Sequence, residues 1–256
     1  MDVDEVSELL AEVAERVIMP RFGALASGEV IEKKPGDLVT VADREAEAEL
    51  TRVLTAAHPG ALVVGEEATF LDQGALDELA DADHAWVIDP VDGTRNFARG
   101  RPDFAVMLAE LRGGETVHGW IFQPVHKRLY VAEHGAGVTR NGALLRTHRR
   151  VRAVPLGATY AQVPRGAEAR LQAVRPWGSC GIDYPRLVEG DVDFLAYRSL
   201  HPWDHLPGGL MVRESGGRIA TDTGIDFAPG VTGRRLIAAA DEAVWRTVRD
   251  SLFGAG

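Results

Sequence analysis

The stretch WVIDPVDGTRNF, residues 86 to 97, ends an apolar run in two aspartates three residues apart, Asp89 and Asp92. Asp, Pro and Gly are ordinary turn residues, so a solvated turn accounts for this pattern taken by itself. Two more acidic groups follow apolar or turn segments: Gly65-Glu66-Glu67 after ALVV, and Asp204 in HPWDHLPGG. Each alone is explained by a helix start, where a negative side chain is favoured. Gathered in one place they are costly, because a like-charge pair ~4 Å apart is disfavoured by about 4 kcal/mol at an effective dielectric near 20. Such a cluster takes up protons or binds cations. Hard oxygen ligands without a Cys-rich set or an HExxH pair select Mg2+, Mn2+ or Ca2+ over zinc. His205, beside Asp204, reads as a structural neighbour of that acid.

Gly93-Thr94 adds a second capacity to the same turn. A helix that starts there points free backbone N–H groups outward, and glycine lets an anion approach the backbone closely. A divalent-metal cluster beside a phosphate cradle is what hydrolysis of a phosphomonoester requires.

Composition bounds the alternatives. The 256 residues are 45% hydrophobic and 26% charged, as in an ordinary globular protein of one large or two modest domains. A formal charge of -10 argues against a general nucleic-acid or membrane-surface role. The basic cluster RTHRR, residues 146 to 150, reads as a solvated loop. A single cysteine, Cys180, excludes an intrachain disulfide and suits a reducing compartment. The N-terminal MDVDEVSELLAEVAERV lacks a basic n-region, and no apolar run reaches the ~18 residues of a membrane span, so the expected location is cytoplasmic.

The elements that must position these residues follow from periodicity. Val6, Leu9, Leu10, Val13 and Val17 share a helical face, as do Ala42, Ala46, Leu50, Val53, Leu54 and Ala57, the latter helix opened by a capping box from Thr40 to Asp43. ALVVG, HAWVID, FAVMLAELR, ETVHGWIF and RLYVAEH read as strands of an antiparallel sheet, with Gly113-Gly114 and Asn141-Gly142 as hairpin turns. Beyond residue 150 the pattern alternates. Helices are predicted around Ala167 to Val174, around Asp183 to Glu189, after Trp203, and over DEAVWRTVRDSLF; VDFLAY, GRIAT and RRLIAAA are predicted strands. The chain divides into an α+β part over residues 1–148 carrying most acidic candidates, and an α/β part over 149–256 supplying Asp204 and substrate contacts.

The ordered set DLVTVAD, GEE, DPVDGTRNF, GSCG and HPWDHLPGGLMVRESGG resembles the inositol monophosphatase family of Mg2+-dependent, lithium-sensitive phosphatases, across nearly the whole chain. The resemblance implies an αβαβα sandwich of layered α and β, usually dimeric, with Mg2+ as cofactor, two or three ions per site and Mn2+ as a substitute. It implies that Glu66, Asp89 and the Val91 carbonyl hold one ion and that Asp89, Asp92 and Asp204 hold another. Thr94 with Asp43 resembles the pair that orients and deprotonates the attacking water, while Asp43 also has the capping-box reading; the two roles compete for the same carboxylate. Thr94, Asp43, Glu66 and Asp89 are thus the catalytic candidates, and Gly93 and Thr94 would donate backbone N–H groups to phosphate. The KKPGD loop resembles a mobile segment that closes over a metal, although Lys33 and Lys34 read from the residues alone as a solvated loop.

Substrate contacts implied by the resemblance are Asp92, Gly93, Thr94, Gly181, Asp183 and Tyr197. Relatives that act on inositol place an acid where ungapped alignment from Trp203 gives Tyr197, and a tyrosine cannot accept from two hydroxyls as a carboxylate can. Asp183 reads equally as a helix cap. The expected activity is Mg2+-dependent hydrolysis of inositol monophosphate or a similar polyol phosphate. Histidinol phosphate, a sugar bisphosphate and a 3′-phosphonucleotide are alternative substrates, and a catalytically silent phosphate-ester binder is the non-enzyme alternative. An EF-hand module is excluded, since no twelve-residue loop carries that order of acids.

Overall fold

A computed structural model describes residues 1–26, 28–34, 37–71, 74–146 and 152–254. Asp2 accepts from the Glu5 N–H while the Glu5 carboxylate accepts from the Asp2 N–H, a capping box that opens helix α1 (Val3–Val13). Its buried residues are Val6, Leu9, Leu10 and Val13, the predicted face; a π-turn over Ala14–Ile18 then rotates the chain, leaving Val17 only partly covered. A two-stranded ribbon, β1 (Val30–Lys34) and β2 (Asp37–Thr40), leads into α2 (Val41–Ala57), which buries Ala42, Ala46, Leu50 and Leu54.

Next come β3 (Leu62–Gly65), the short helices α3 (Glu66–Leu71) and α4 (Gly74–Glu78), β4 (His84–Asp92) and the short helix α5 (Thr94–Ala98). Strands β5 (Ala105–Arg112), β6 (Glu115–Gln123), β7 (Arg128–Glu133), β8 (Gly137–Arg140) and β9 (Ala143–Leu144) complete a seven-stranded sheet in sequential order. It is antiparallel except at its edge, where β3 runs parallel to β4 because α3 and α4 carry the chain back. Both predicted hairpin turns are present: Gly113 and Gly114, and Asn141 and Gly142, all have positive φ, as a two-residue turn of this type requires.

The second half contributes β10 (Leu156–Thr159), β11 (Gln172–Val174), α6 (Cys180–Glu189), β12 (Phe194–Tyr197), α7 (Pro202–Glu214), β13 (Arg218–Thr221), β14 (Leu236–Ala239) and α8 (Glu242–Leu252). Its five strands order as β11-β10-β12-β14-β13. The helix predicted around Ala167 to Val174 is absent: only Ala167–Ala169 turns as 3-10, and Gln172–Val174 pairs in parallel with β10. Ladder hydrogen bonds at the sheet edge there override the helical propensity of AEARLQAV. Within the basic cluster 146 to 150, and at the expected boundary at 148/149, only Arg146 lies among the described residues.

Five layers result. α1 and α2 cover one face of the larger sheet through Trp86, Ile88, Val106, Leu108 and Trp120. α6 and α7 fill the space between the two sheets, and α8 covers the outer face of the smaller sheet through Trp245, Val248 and Leu252. This is the expected αβαβα sandwich. α7 approaches the larger sheet so closely that a Cβ on Gly119 would sit 2.9 Å from the Pro207 backbone. No helix among the described residues is long and apolar enough to cross a membrane.

Candidate active site

Successive strand residues point to opposite faces, so Asp89 and Asp92 would diverge in a regular strand. β4 is not regular there. Asp89 pairs with Met107 and Asp92 with Ala105, so three steps on β4 oppose two on β5, and one extra residue forms a bulge. The bulge turns both carboxylates to the face that α6 and α7 cover, where Asp89 is 2% and Asp92 7% exposed. Parallel pairing of Gly65 with Ile88 brings Glu66, the next residue, alongside Asp89.

Glu66 is held by a side chain that sequence reading missed. Glu47 of α2 accepts from the N–H groups of Glu67 and Ala68, both at 2.8 Å, and so fixes the start of α3. A Cβ on Gly65 would overlap the Glu47 carboxylate. Nothing in the sequence marks Glu47 except an acid on a helix face otherwise used for packing.

Asp204 enters from the first turn of α7, between Trp203 and a fully buried His205. The Ser199 carbonyl lies 2.9 Å from His205 Nε2, which therefore carries the proton, and Nδ1 accepts from the Tyr184 hydroxyl at 3.0 Å. Burial pushes this imidazole down to about 3, so it is neutral and anchors α7 to α6. Asp92 is oriented by the start of α6: the Ser179 hydroxyl and the Gly181 N–H, the latter at 2.6 Å, both donate to its Oδ2. Ser179 and Cys180 are further residues missed as individuals, although the GSCG stretch carried them. Asp92, Cys180 and Asp204 each place one ligand atom within 4.8 Å of the others. Burial, with Asp204 and Asp92 adding to it, pushes the Cys180 thiol well up, so it is present as a thiol.

Thr94 opens α5, and its single hydroxyl proton is shared between Asp43 Oδ1 at 3.1 Å and the Val91 carbonyl at 3.0 Å. Asp43 Oδ2 meanwhile accepts from the Thr40 N–H at 3.0 Å and from the Thr40 hydroxyl. The cap and the contact to Thr94 therefore coexist, one carboxylate oxygen each. Gly93 packs on Ser179, 2.9 Å from where its Cβ would lie, with φ +87°.

Electrostatically the group is acid upon acid. Burial raises Asp89 well above the usual carboxylate range, and Glu66, Asp92, Asp204 and Asp43 each add to the rise. Burial takes Glu66 and Asp43 up to about 7, and raises Asp92 against its hydrogen bonds from Ser179 and Gly181. Carboxylates gathered this way, beside a carbonyl with a spare lone pair, suit a hard divalent cation.

The solvated-loop reading of Lys33 is overturned. Its ammonium lies 3.0 Å from Glu66 and 2.8 Å from Glu67, and its side chain is 4% exposed. Burial would lower this lysine, but the pull of Glu66 and hydrogen bonds to both glutamates outweigh it and hold the ammonium charged. Two buried acids need a counter-charge, and β1 supplies it. The side chain of Lys34, and Pro35 and Gly36, lie outside the described residues.

Asp183 and Tyr197 sit together, within reach of the charge of Asp92, which adds to the rise that burial gives both. Asp183 is 1% exposed, accepts from the Trp177 N–H at 3.0 Å, and faces the Tyr197 hydroxyl at 3.5 Å. Burial pushes its carboxyl up to about 7.

Residues 2–252 match the model of the inositol monophosphatase family. The chain belongs to the inositol monophosphatase family. It is similar to an inositol-1-monophosphatase of Mesorhizobium japonicum, with 34% identity over 89% of this chain and 90% of that protein. It is also similar to Nus factor SuhB of Escherichia coli K12, with 31% identity over 84% of this chain and 83% of that one. Among solved structures, the Thermotoga maritima IMPase superposes with a TM-score of 0.79, 27% identity and 97% coverage of both chains. As a member of the inositol monophosphatase family, the protein is a phosphoric monoester hydrolase with the five-layer fold of its relatives.

Proposed function

We propose that the protein hydrolyses a small phosphomonoester, inositol monophosphate or a similar polyol phosphate, with Mg2+ as cofactor. The observation that carries this reading is the convergence of Glu66, Asp89, Asp92 and Asp204 from three separate segments of chain. Glu66, Asp89 and the Val91 carbonyl would hold one ion, and Asp89, Asp92 and Asp204 a second; Mn2+ fits the same oxygen donors. Bound there, the metal supplies Lewis-acid polarisation of the phosphoryl oxygen and a water of lowered pKa.

Thr94 and Asp43 would place the attacking water and take up its proton. The Thr94 hydroxyl, which donates towards Asp43, keeps lone pairs that accept from a water, and the proton released passes through Thr94 to Asp43 Oδ1. A base near 7, where burial puts Asp43, is well matched to that step at neutral pH. The Val91 carbonyl accepts from Thr94 and retains a second lone pair for a cation. Gly93 and Thr94 would contact the phosphate through their N–H groups, with Asp92, Gly181, Asp183 and Tyr197 bounding the rest of the substrate. A homodimer in the cytoplasm is the expected working state.

Phosphate release from a panel of phosphomonoesters, with Mg2+, with chelator and with added Li+, tests the reading. Turnover that needs Mg2+ and falls with Li+ is expected. Tight binding of phosphomonoesters with no release from any of them would mark a silent binding protein instead.

A further inference from the structure

At the end of α7 remote from Asp204 lies a cavity of about 800 Å3, within the size range of small-molecule sites. β6 walls it on one side and β13 on the other, with the last turns of α7 between them. Folding leaves three polar side chains on these walls short of partners. Thr116 of β6 is 5% exposed. It pairs across the ladder with Leu111, which belongs to the core between the sheets, so its side chain points the same way, and its hydroxyl has no hydrogen-bond partner among the described residues. Arg213 of α7 donates from Nη1 to the Phe227 carbonyl at 3.2 Å and forms no ion pair among the described residues. Asp226, at the rim, reaches only Arg218, at 3.4 Å, and its side chain is 82% exposed.

The other charged groups here are matched within the protein or turned away. Glu214 accepts from the Gly135 N–H at 3.0 Å and from the Gly137 N–H at 3.1 Å. Arg218 is held closely by Glu242, which leaves it little to give Asp226. Glu115, the residue before Thr116 on β6, points to the opposite face of the strand. Water satisfies any one leftover group, and single exposed charges are common, so mutual placement has to decide. Burial in the cavity wall lowers the Arg213 guanidinium, and Tyr184, Asp226, Glu214 and Glu115 oppose that fall. Asp226 is thus near enough for its charge to be felt at Arg213, yet the two do not pair.

A cation and an anion separated in this way, with an unmet hydroxyl on the facing wall, are bridged by one molecule that carries both charges. A carboxylate suits the guanidinium fork and accepts from the Thr116 hydroxyl, and an ammonium suits Asp226. Between these groups the wall is apolar, made by Leu210, Ile219, Phe227 and Pro229. We propose that this cavity binds a free α-amino acid with an apolar side chain. The ligand is an effector and not a substrate, because Arg213 and Asp204 stand at opposite ends of α7, roughly 13 Å apart along its axis. The two sites share one helix.

Calorimetric titration of the full chain tests this with L-phenylalanine, with 3-phenylpropionate, which lacks the ammonium, and with 2-phenylethylamine, which lacks the carboxylate. A Kd for L-phenylalanine at least about tenfold below that of either analogue is expected, and the same in Mg2+ as in chelator. Arg213→Gln should raise that Kd at least about tenfold, and Asp226→Asn about threefold. Thr116→Val removes a hydroxyl with no partner to lose, so it should keep the melting temperature and still weaken binding about fivefold. No heat from L-phenylalanine at millimolar concentration, or an analogue that binds as tightly, would overturn the proposal. Affinity that disappears in chelator overturns it too, since the ligand is then held by a cation at the acids. Neither result depends on phosphate release, so failure here leaves the phosphatase reading standing.

Discussion

The Thr94 hydroxyl donates to Oδ1 of Asp43 at 3.1 Å, although the two residues are 51 positions apart and Asp43 also caps its own helix through Oδ2. Removing the hydroxyl alone separates these roles. Thr94→Val is expected to lower kcat by about 10²-fold or more with little change in KM or melting temperature, while Thr94→Ser keeps most of the rate. An unchanged kcat in Thr94→Val would take Thr94 out of the mechanism.

Asp89 is the most compressed of the acids, with four other carboxylates raising it. Asp89→Asn should abolish phosphate release and weaken Mg2+ binding in calorimetry. In chelator it should also stabilise the fold, by about 0.5 to 2 kcal/mol, because the cost of burying this carboxyl, whether charged or forced to take up a proton, is gone. Retained turnover, or a destabilised metal-free variant, contradicts the assignment.

Lys33 compensates Glu66 and Glu67 from the far side of the cluster. Replacing it by methionine of similar length leaves both acids without their ammonium. Urea denaturation in chelator should show a loss of about 3 kcal/mol, the scale for breaking a buried pair, and Mg2+ should recover part of it. A loss below about 0.5 kcal/mol would mean that the pair is only a surface contact.

The pH dependence of metal-free stability follows from sign. Asp43 and Asp183 are each raised by burial from an ordinary 3.8 to about 7, so between those values the folded state holds more protons than the unfolded chain. Stability therefore falls as pH rises through that window, by about 1.4 kcal/mol per group per unit at most. His205, pushed down to about 3, works the other way as pH drops below 6.5, but the raised carboxyls, Glu66, Asp89 and Asp92 among them, outnumber it. Denaturation midpoints in chelator should be lower at pH 7.5 than at pH 5; a higher midpoint at pH 7.5 would refute the burial of these carboxyls.

The acids themselves were legible because each interrupts or follows an apolar segment whose period reveals a strand or helix end: Asp89 and Asp92 after WVI, Glu66 after ALVV, Asp204 at the head of α7. Helices α1, α2 and α8 were legible because burial on one face imposes a period, and β4 and β5, buried on both faces, because they read as nearly continuous apolar runs. What stayed hidden depends on distant chain. Glu47 meets α3 twenty residues later, Ser179 meets Asp92 from 87 residues away, and Lys33 meets Glu66 from another element altogether. A local pattern carries no trace of such contacts. The helix expected over Ala167 to Val174 failed for a related reason, because β10 offered that segment a ladder that its own composition does not announce.

Asp92 finishes a strand of the larger sheet, whereas Asp204 rides on the helix wedged between the two sheets. An ion gripped by both, as proposed above, would gauge how firmly the layers are seated. Warming that loosens α7 against the sheet would then release the ion while far-ultraviolet dichroism still records every helix, so cation affinity would report tertiary order before helix content does.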